Sequence, residues 1–187
     1  MNDGVQQRAD LSVVIAAFNE ARGLAAVLER LLAAMSGTEI IVVDDGSKDD
    51  TATIAASFPG VRVIRHDFNR GQGAALKTGM RAATRQLVAW FDADNEHRVE
   101  DLTMLSGIIS TKNLAAVIGQ RTTGSATLMR AVGKSLIRLV GRGLGISAGS
   151  DLNCGLRVFR RDIILRYLPI IPDRFSASLV STLVLLE

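Results

Sequence analysis

The chain has 187 residues, 48% of them hydrophobic and 22% charged, with three prolines and one cysteine. That length is ample for one domain with a sizeable buried core, and the composition excludes collagen, low-complexity disorder and a disulfide scaffold. Cys154 has no second cysteine to pair with, so a reducing compartment is the expectation and a cysteine-based zinc site is excluded. The first ten residues carry no apolar run of the signal-peptide kind, and no stretch of roughly 18 apolar residues reads as a membrane span. The net charge of +3 is unevenly spread. Residues 1–120 hold 12 Lys and Arg against 15 Asp and Glu, whereas residues 121–187 hold ten against four. An acidic first part suits a cation, and a basic last part suits anions or is simply a solvated surface.

Taken in chain order, short β-branched runs alternate with longer helical ones. Residues 11–17 (LSVVIAA) read as a buried strand and 22–35 as a helix; 39–43 (EIIVV) form a second strand, followed by DDGSKDDT and a helix to about residue 57. Residues 61–65 are a third strand, 71–84 a helix of small residues, 87–91 (LVAWF) a fourth strand, 99–110 a helix and 115–118 a further strand. This alternation predicts an α/β fold: a mainly parallel, Rossmann-like sheet with helices on both faces. Ligands then bind beyond the carboxyl ends of the strands, which singles out the segments after Ala17, Val43, Arg65 and Phe91. Residues 126–145 form an amphipathic pattern in which Arg130, Lys134, Arg138 and Arg142 recur every four residues, suited to a membrane interface or to an ordinary surface helix. Residues 175–187 are a helical pattern that stops in mid-run, so a chain cut short at its carboxyl end is expected.

Three constellations carry chemistry. Asp44-Asp45-Gly46-Ser47 follows the second strand, where both acids are expected to face the ligand crevice and an aspartate can accept from ribose hydroxyls or a base N–H. Capping of the next helix by Ser47 or Asp49 explains those two residues, but not the aspartate pair. Asp92-Ala93-Asp94 follows the fourth strand, and carboxylates at i and i+2 there can converge on one hard divalent cation that neutralises a diphosphate. A lone histidine nearby, His97, is set aside as structural or solvated. Asn69-Arg70-Gly71-Gln72-Gly73 offers part of a dinucleotide fingerprint. It lacks the third glycine and the spaced acid, so its small residues are assigned to close helix–sheet packing.

In order along the chain, SVVIAAFNEARGL, EIIVVDDGSKDDT, NRGQGAALKTGM, FDADNEHRVEDL, IGQR and DLNCGLRVFRRD resemble the motifs of family 2 glycosyltransferases with the A-type nucleotide-sugar fold. Within that family the chain is most similar to polyprenyl-phosphate (dolichol-phosphate) mannosyl- and glucosyltransferases, over residues 11 to about 162. The resemblance implies one catalytic domain, with residues 11–120 on the nucleotide-sugar and metal side and 121–187 on the acceptor side. It implies nucleotide contacts from Ala16, Phe18 and Glu20, where the family usually has a proline, an aromatic and an acid, and base contacts from Val43 and Asp45. Asp92 and Asp94 would hold Mg²⁺ or Mn²⁺ and the diphosphate, with Ala93 along the ribose and Glu96 as a third acid where glutamine is common. Arg121 matches an arginine near the phosphates. Arg130, Lys134 and Ser135 would grip the acceptor phosphate, and Asp151 matches an acid near the acceptor, a base or orienting carboxylate.

The implied reaction is an inverting, metal-dependent transfer of a hexose from a nucleotide diphosphate sugar, of the GDP-mannose or UDP-glucose type, to polyprenyl phosphate at the cytoplasmic face of a membrane. A phosphate monoester, with its second pKa near ~6, hardly needs a general base, whereas a hydroxyl acceptor does. The alternatives are transfer to a sugar or other hydroxyl acceptor, and a non-catalytic sugar-nucleotide-binding module. Nucleic acid is not among the expected partners, and homo-oligomer formation is left open.

Overall fold

The structure is a computed structural model that describes residues 10–94, 97–119, 154–174 and 176–185. Its strands are β1 (Leu11–Ala17), β2 (Glu39–Asp44), β3 (Val61–Arg65), β4 (Leu87–Trp90), β5 (Ala116–Ile118) and β6 (Arg157–Arg160). Its helices are α1 (Ala21–Ala34), α2 (Thr51–Ala56), α3 (Gln72–Ala82), α4 (Val99–Thr111), α5 (Arg161–Tyr167) and α6 (Ala177–Leu185), with a 3₁₀ turn at Leu168–Ile170.

The strands form one sheet in the order β3-β2-β1-β4-β6-β5. The first four run parallel, and β6 runs antiparallel to both β4 and β5. Residues Ile40 to Val43 of β2 are all buried, because a parallel sheet is covered on both faces and every side chain of an inner strand meets a helix. On one face Leu11, Val13, Ile15 and Val42 meet the α1 stripe Leu24, Val27, Leu28 and Leu31 and the α4 residues Leu102, Leu105 and Ile109. On the other, Val14, Ile41, Val43, Val88 and Trp90 meet Ala75, Leu76 and Met80 of α3, together with Phe159 and Ile164. The α1 stripe has the i, i+3, i+4, i+7 spacing of one helical face, and truncating a fully buried leucine such as Leu28 to alanine removes about 2–5 kcal/mol.

Gly79 shows what the small residues of α3 do. A Cβ there would collide with the Val14 side chain, so glycine lets the helix lie directly on β1. Gly71 and Gly73 serve a different approach: a Cβ on either would run into the backbone of residues 172–174, which cross the start of α3. The antiparallel strand β6 and the helix α5 are absent from the sequence reading. RVFR is short and bounded by arginines, a residue type that usually lies at the surface. Arg157 is instead wholly buried opposite Trp90, its guanidinium donating to Cys154 O at 2.9 Å, Ser181 Oγ at 3.1 Å and Thr182 Oγ1 at 2.5 Å.

The strand order reverses direction of growth between β1 and β4. That switch point opens a crevice at the carboxyl ends of the two strands, where ligands of open α/β sheets bind.

Candidate active site

Two loops meet at the carboxyl edge. The one after β1 (Phe18, Asn19, Glu20) is stitched to the one after β2 by backbone-to-side-chain bonds. Asn19 N donates to Ser47 Oγ at 2.9 Å, Glu20 N to Thr51 Oγ1 at 2.9 Å and Ala21 N to Asp49 Oδ2 at 3.2 Å, while Asn19 Oδ1 accepts from Lys48 N at 3.0 Å. Asn19 takes φ 56°, a conformation asparagine tolerates better than most residues. Ser47 therefore joins the two loops rather than capping α2. Asp49 does bond the first turn, accepting from Thr51 N at 3.1 Å and Thr51 Oγ1 at 2.5 Å, and the hydroxyl bond is the main reason its carboxyl sits below the usual range.

The two aspartates of DDGS have separate fates. Asp44 does not face the crevice. Its side chain is fully buried, Oδ1 accepts from Ser47 N at 3.0 Å, and Oδ2 lies 3.1 Å from Arg65 Nε without hydrogen-bond geometry. It folds the β2 loop. Asp45 lines the crevice, with its carboxylate gripped from behind: Oδ1 accepts from His66 Nδ1 at 2.6 Å and Arg70 N at 3.0 Å, and Oδ2 accepts from Gly71 N at 2.7 Å. A carboxylate only accepts, so the proton of that histidine bond sits on Nδ1, and Nε2 faces Thr78 Oγ1 at 2.9 Å. Gly46, at φ 75°, completes the junction, since a Cβ there would lie within 2.6 Å of Phe68 carbonyl carbon.

The resulting cavity has a volume of about 320 Å³. Ala16, Phe18, Glu20 and Asp45 line it together with Gly71 and Arg174. Two of the sequence-derived contacts lie elsewhere: Val43 is fully buried beneath α3, and Ala93 is buried in the core beneath α1. Each belongs to a strand or strand end whose alternate side chains face helices, and the motif alone does not show which way a residue points.

Asp92 and Asp94 leave β4 on the other side of β1. Asp92 Oδ2 is 3.1 Å from Nε2 of the buried His97, so the histidine set aside from the sequence is a direct neighbour of the first acid. The Asp92 carboxylate also lies against Gly155, where any Cβ would occupy its place. Glu20 links the two parts of the crevice. Its carboxyl is pushed above the usual value of 4.5, first by burial and then by the charges of Asp94, Asp49 and Asp92. These acids thus share one electrostatic neighbourhood, although no three His, Cys, Asp or Glu side chains among the described residues form a ready-made metal cage. A hard cation that arrives with phosphate oxygens needs only one or two carboxylates, and the donor set here is of that chemistry.

Glu96, Arg121, Arg130, Lys134, Ser135 and Asp151 lie outside the described residues. Sequence reasoning also missed His66, Gly155 and Arg174. The first follows the third strand at a position the carboxyl-end rule had marked, and the second lies inside the CGL motif. Arg174 carries no local signal.

The family model for glycosyl transferase family 2 matches residues 12–167. Among curated proteins, the dodecaprenyl-phosphate galacturonate synthase of Rhizobium johnstonii is 31% identical over 174 residues, covering 87% of this chain and 51% of that protein. The undecaprenyl-phosphate 4-deoxy-4-formamido-L-arabinose transferase of Serratia proteamaculans is 34% identical over 163 residues, covering 82% of this chain and 50% of its own. The chain spans about half the length of these relatives. Among solved structures, glucosyl-3-phosphoglycerate synthase from Mycobacterium tuberculosis, in complex with Mn²⁺, UDP and glucosyl-3-phosphoglycerate, superposes with a TM-score of 0.70 at 23% identity, over 86% of this chain and 61% of that one. Mannosyl-3-phosphoglycerate synthase from Rubrobacter xylanophilus gives 0.67 at 21%, over 86% and 58%. These two share the fold.

Proposed function

The chain belongs to glycosyl transferase family 2, and from that premise we propose that it moves a hexose from a nucleotide diphosphate sugar to polyprenyl phosphate, with inversion, at the cytoplasmic face of a membrane. The observation that carries this reading is the gathering of Glu20, Asp92 and Asp94 at the switch point of the sheet, beside a cavity of about 320 Å³. Burial and then the charges of Asp94, Asp49 and Asp92 raise the Glu20 carboxyl there. Repulsion of that kind is relieved by a cation, which would also offset the charge of a diphosphate.

In this reading Phe18 and Asp45 hold the base, with Ala16 and Glu20 around it. The rigid 66–71 loop behind Asp45 keeps the pocket in shape before the donor arrives, so less ordering entropy is lost on binding. Asp92 and Asp94 would hold Mg²⁺ or Mn²⁺ with the diphosphate, and His97 orients Asp92 from below. When bound, the cation supplies Lewis-acid stabilisation of the departing diphosphate. In this reading the donor is of the GDP-mannose or UDP-glucose type. Arg121 is assigned to the diphosphate, Glu96 to the metal, Arg130, Lys134 and Ser135 to the acceptor phosphate, and Asp151 to orienting the acceptor. The acceptor is already ionised at neutral pH, so the chain's task is to bring two anions into line rather than to remove a proton. The names of the curated relatives, which refer to dodecaprenyl, undecaprenyl and dolichyl phosphates, favour a lipid phosphate over a soluble hydroxyl.

The test is incorporation of label from radiolabelled UDP-, GDP- and dTDP-hexoses, with Mn²⁺, into short-chain polyprenyl phosphate or into soluble sugars. Labelled lipid with at least one donor is expected. Label confined to soluble product, or no transfer under any donor, overturns the reading.

A further inference from the structure

Among the described residues, the cavity after β1 and β2 holds two carboxylates in its wall, Glu20 and Asp45, and one cation, Arg174. Arg174 comes from a segment far away in sequence, and that segment is fixed. Ala74 N donates to Asp173 O at 2.8 Å, Lys77 Nζ donates to Ile171 O at 3.0 Å, and Lys77 pairs with the Asp173 carboxylate. The Lys77 hydrogen bond holds the Asp173 carboxyl below its usual range, with the charges of Lys77, Arg70 and Arg81 adding to the effect. Residues 172–174 press so closely on α3 that neither Gly71 nor Gly73 has room for a Cβ. The backbone beneath Arg174 is therefore held in place, while its side chain is exposed and makes no hydrogen bond or ion pair with any described residue.

Gly71 touches both Arg174 and Asp45. Gly71 N donates to Asp45 Oδ2 at 2.7 Å, and a Cβ on Gly71 would lie 2.9 Å from both Cα and Cγ of Arg174. Asp92 and Asp94 do not line this cavity; they lie beyond Glu20. Arg174 thus stands at the Asp45 end of the crevice, away from the acids suited to a cation and diphosphate. Resting on the donor-site reading above, we propose that Arg174 is a base-binding residue. Its guanidinium fork donates to a keto oxygen on the edge of the nucleotide base while Asp45 faces an adjacent N–H. Guanine and uracil carry a keto oxygen beside an N–H; adenine has no keto oxygen.

The test compares the wild-type chain with Arg174→Ala and Arg174→Lys, titrated with UDP, GDP, ADP and pyrophosphate in the presence of Mn²⁺. Arg174→Ala is expected to weaken the preferred of UDP and GDP about tenfold, the loss of one forked contact, and to leave ADP and pyrophosphate unchanged. Arg174→Lys is expected to recover only part of the loss, since its ammonium can donate to the keto oxygen but lacks the planar fork. Equal UDP and GDP affinity in wild type and Arg174→Ala overturns the inference alone. So does a matching loss for pyrophosphate, which marks a phosphate contact, or full recovery in Arg174→Lys, which marks charge alone. A wild-type chain that binds no nucleoside diphosphate overturns the donor-site reading itself, and this inference with it.

Discussion

Asp45 and Asp94 follow β2 and β4 at the same edge of the sheet, yet their surroundings differ in kind. Asp45 spends its carboxylate on three protein donors, one a histidine and two backbone amides. Asp94 lies in the neighbourhood of Glu20, whose carboxyl is raised first by burial and then by the charges of Asp94, Asp49 and Asp92. The first region has its carboxylate satisfied by protein donors before any ligand arrives. The second gathers like charges that a cation can relieve. One fold edge therefore carries a hydrogen-bonded carboxylate beside a cluster of acids, joined by Glu20, and the proposed function gives the first to recognition and the second to reaction.

The most severe way to break the contrast is Asp45→Ala. It strips the acceptor from His66 and from two loop amides, and should cost about 3–5 kcal/mol of unfolding free energy in denaturant titrations. A loss below about 1 kcal/mol, the size of an ordinary surface change, shows that the carboxylate does not hold the loop. On the reaction side, Gly155→Ala should displace the Asp92 carboxylate and lower kcat for transfer about 100-fold, the scale of a 1 Å misplacement. Unfolding free energy should change far less than in Asp45→Ala. Wild-type turnover would contradict the placement of Asp92 at the reacting groups.

Asp94→Asn sharpens the comparison further. Transfer should fall by about 100-fold or more, as when a charge-stabilising group is removed. The melting temperature at pH 7 should change far less than in Asp45→Ala, because the lost charge also removes one source of repulsion on Glu20. A fall in melting temperature to match the lost activity would assign Asp94 a structural role.

The smallest effect is at Glu20. Its carboxyl is raised in the fold, so ionisation disfavours the folded state at pH values above the unfolded pKa. Below both values the group is protonated in either state and the penalty disappears. Glu20→Gln should therefore melt slightly above wild type at pH 7, and the difference should vanish as the pH falls through the raised Glu20 value and then the unfolded one. A difference that does not change with pH breaks the link between Glu20 and the aspartates.

Several parts of this layout are legible in the residues themselves. The bounds of β1 and β3 match the reading of LSVVIAA and VRVIR residue for residue, and the other elements up to β5 lie within two residues of it. The carboxyl-end rule points to the segments that hold Asp45, Asp92 and Asp94, and the structure places all three at that edge of the sheet. What stayed hidden has one physical character. Asp44 and Asp45 are adjacent, identical and both buried, and only the turn of the loop decides that Asp45 lines the crevice while Asp44 does not. Val43 and Ala93 carry the right motif positions but point into the core. Arg157, charged and in a run of only four strand residues, is buried in β6 because its guanidinium finds acceptors on α6.

By itself the sequence determined the period of the elements up to β5, the parallel part of the sheet and the edge where chemistry gathers. Those follow from hydrophobic spacing among near neighbours and from strand-to-helix alternation. Tertiary structure alone decided the antiparallel β6, the gripping of Asp45 by His66, the seating of Asp92 on Gly155 and the arrival of Arg174 at the cavity beside Asp45. Each is a contact between residues distant along the chain, as far as the 94 positions that separate Lys77 from Ile171, and no local pattern records which distant partner will fill a given space.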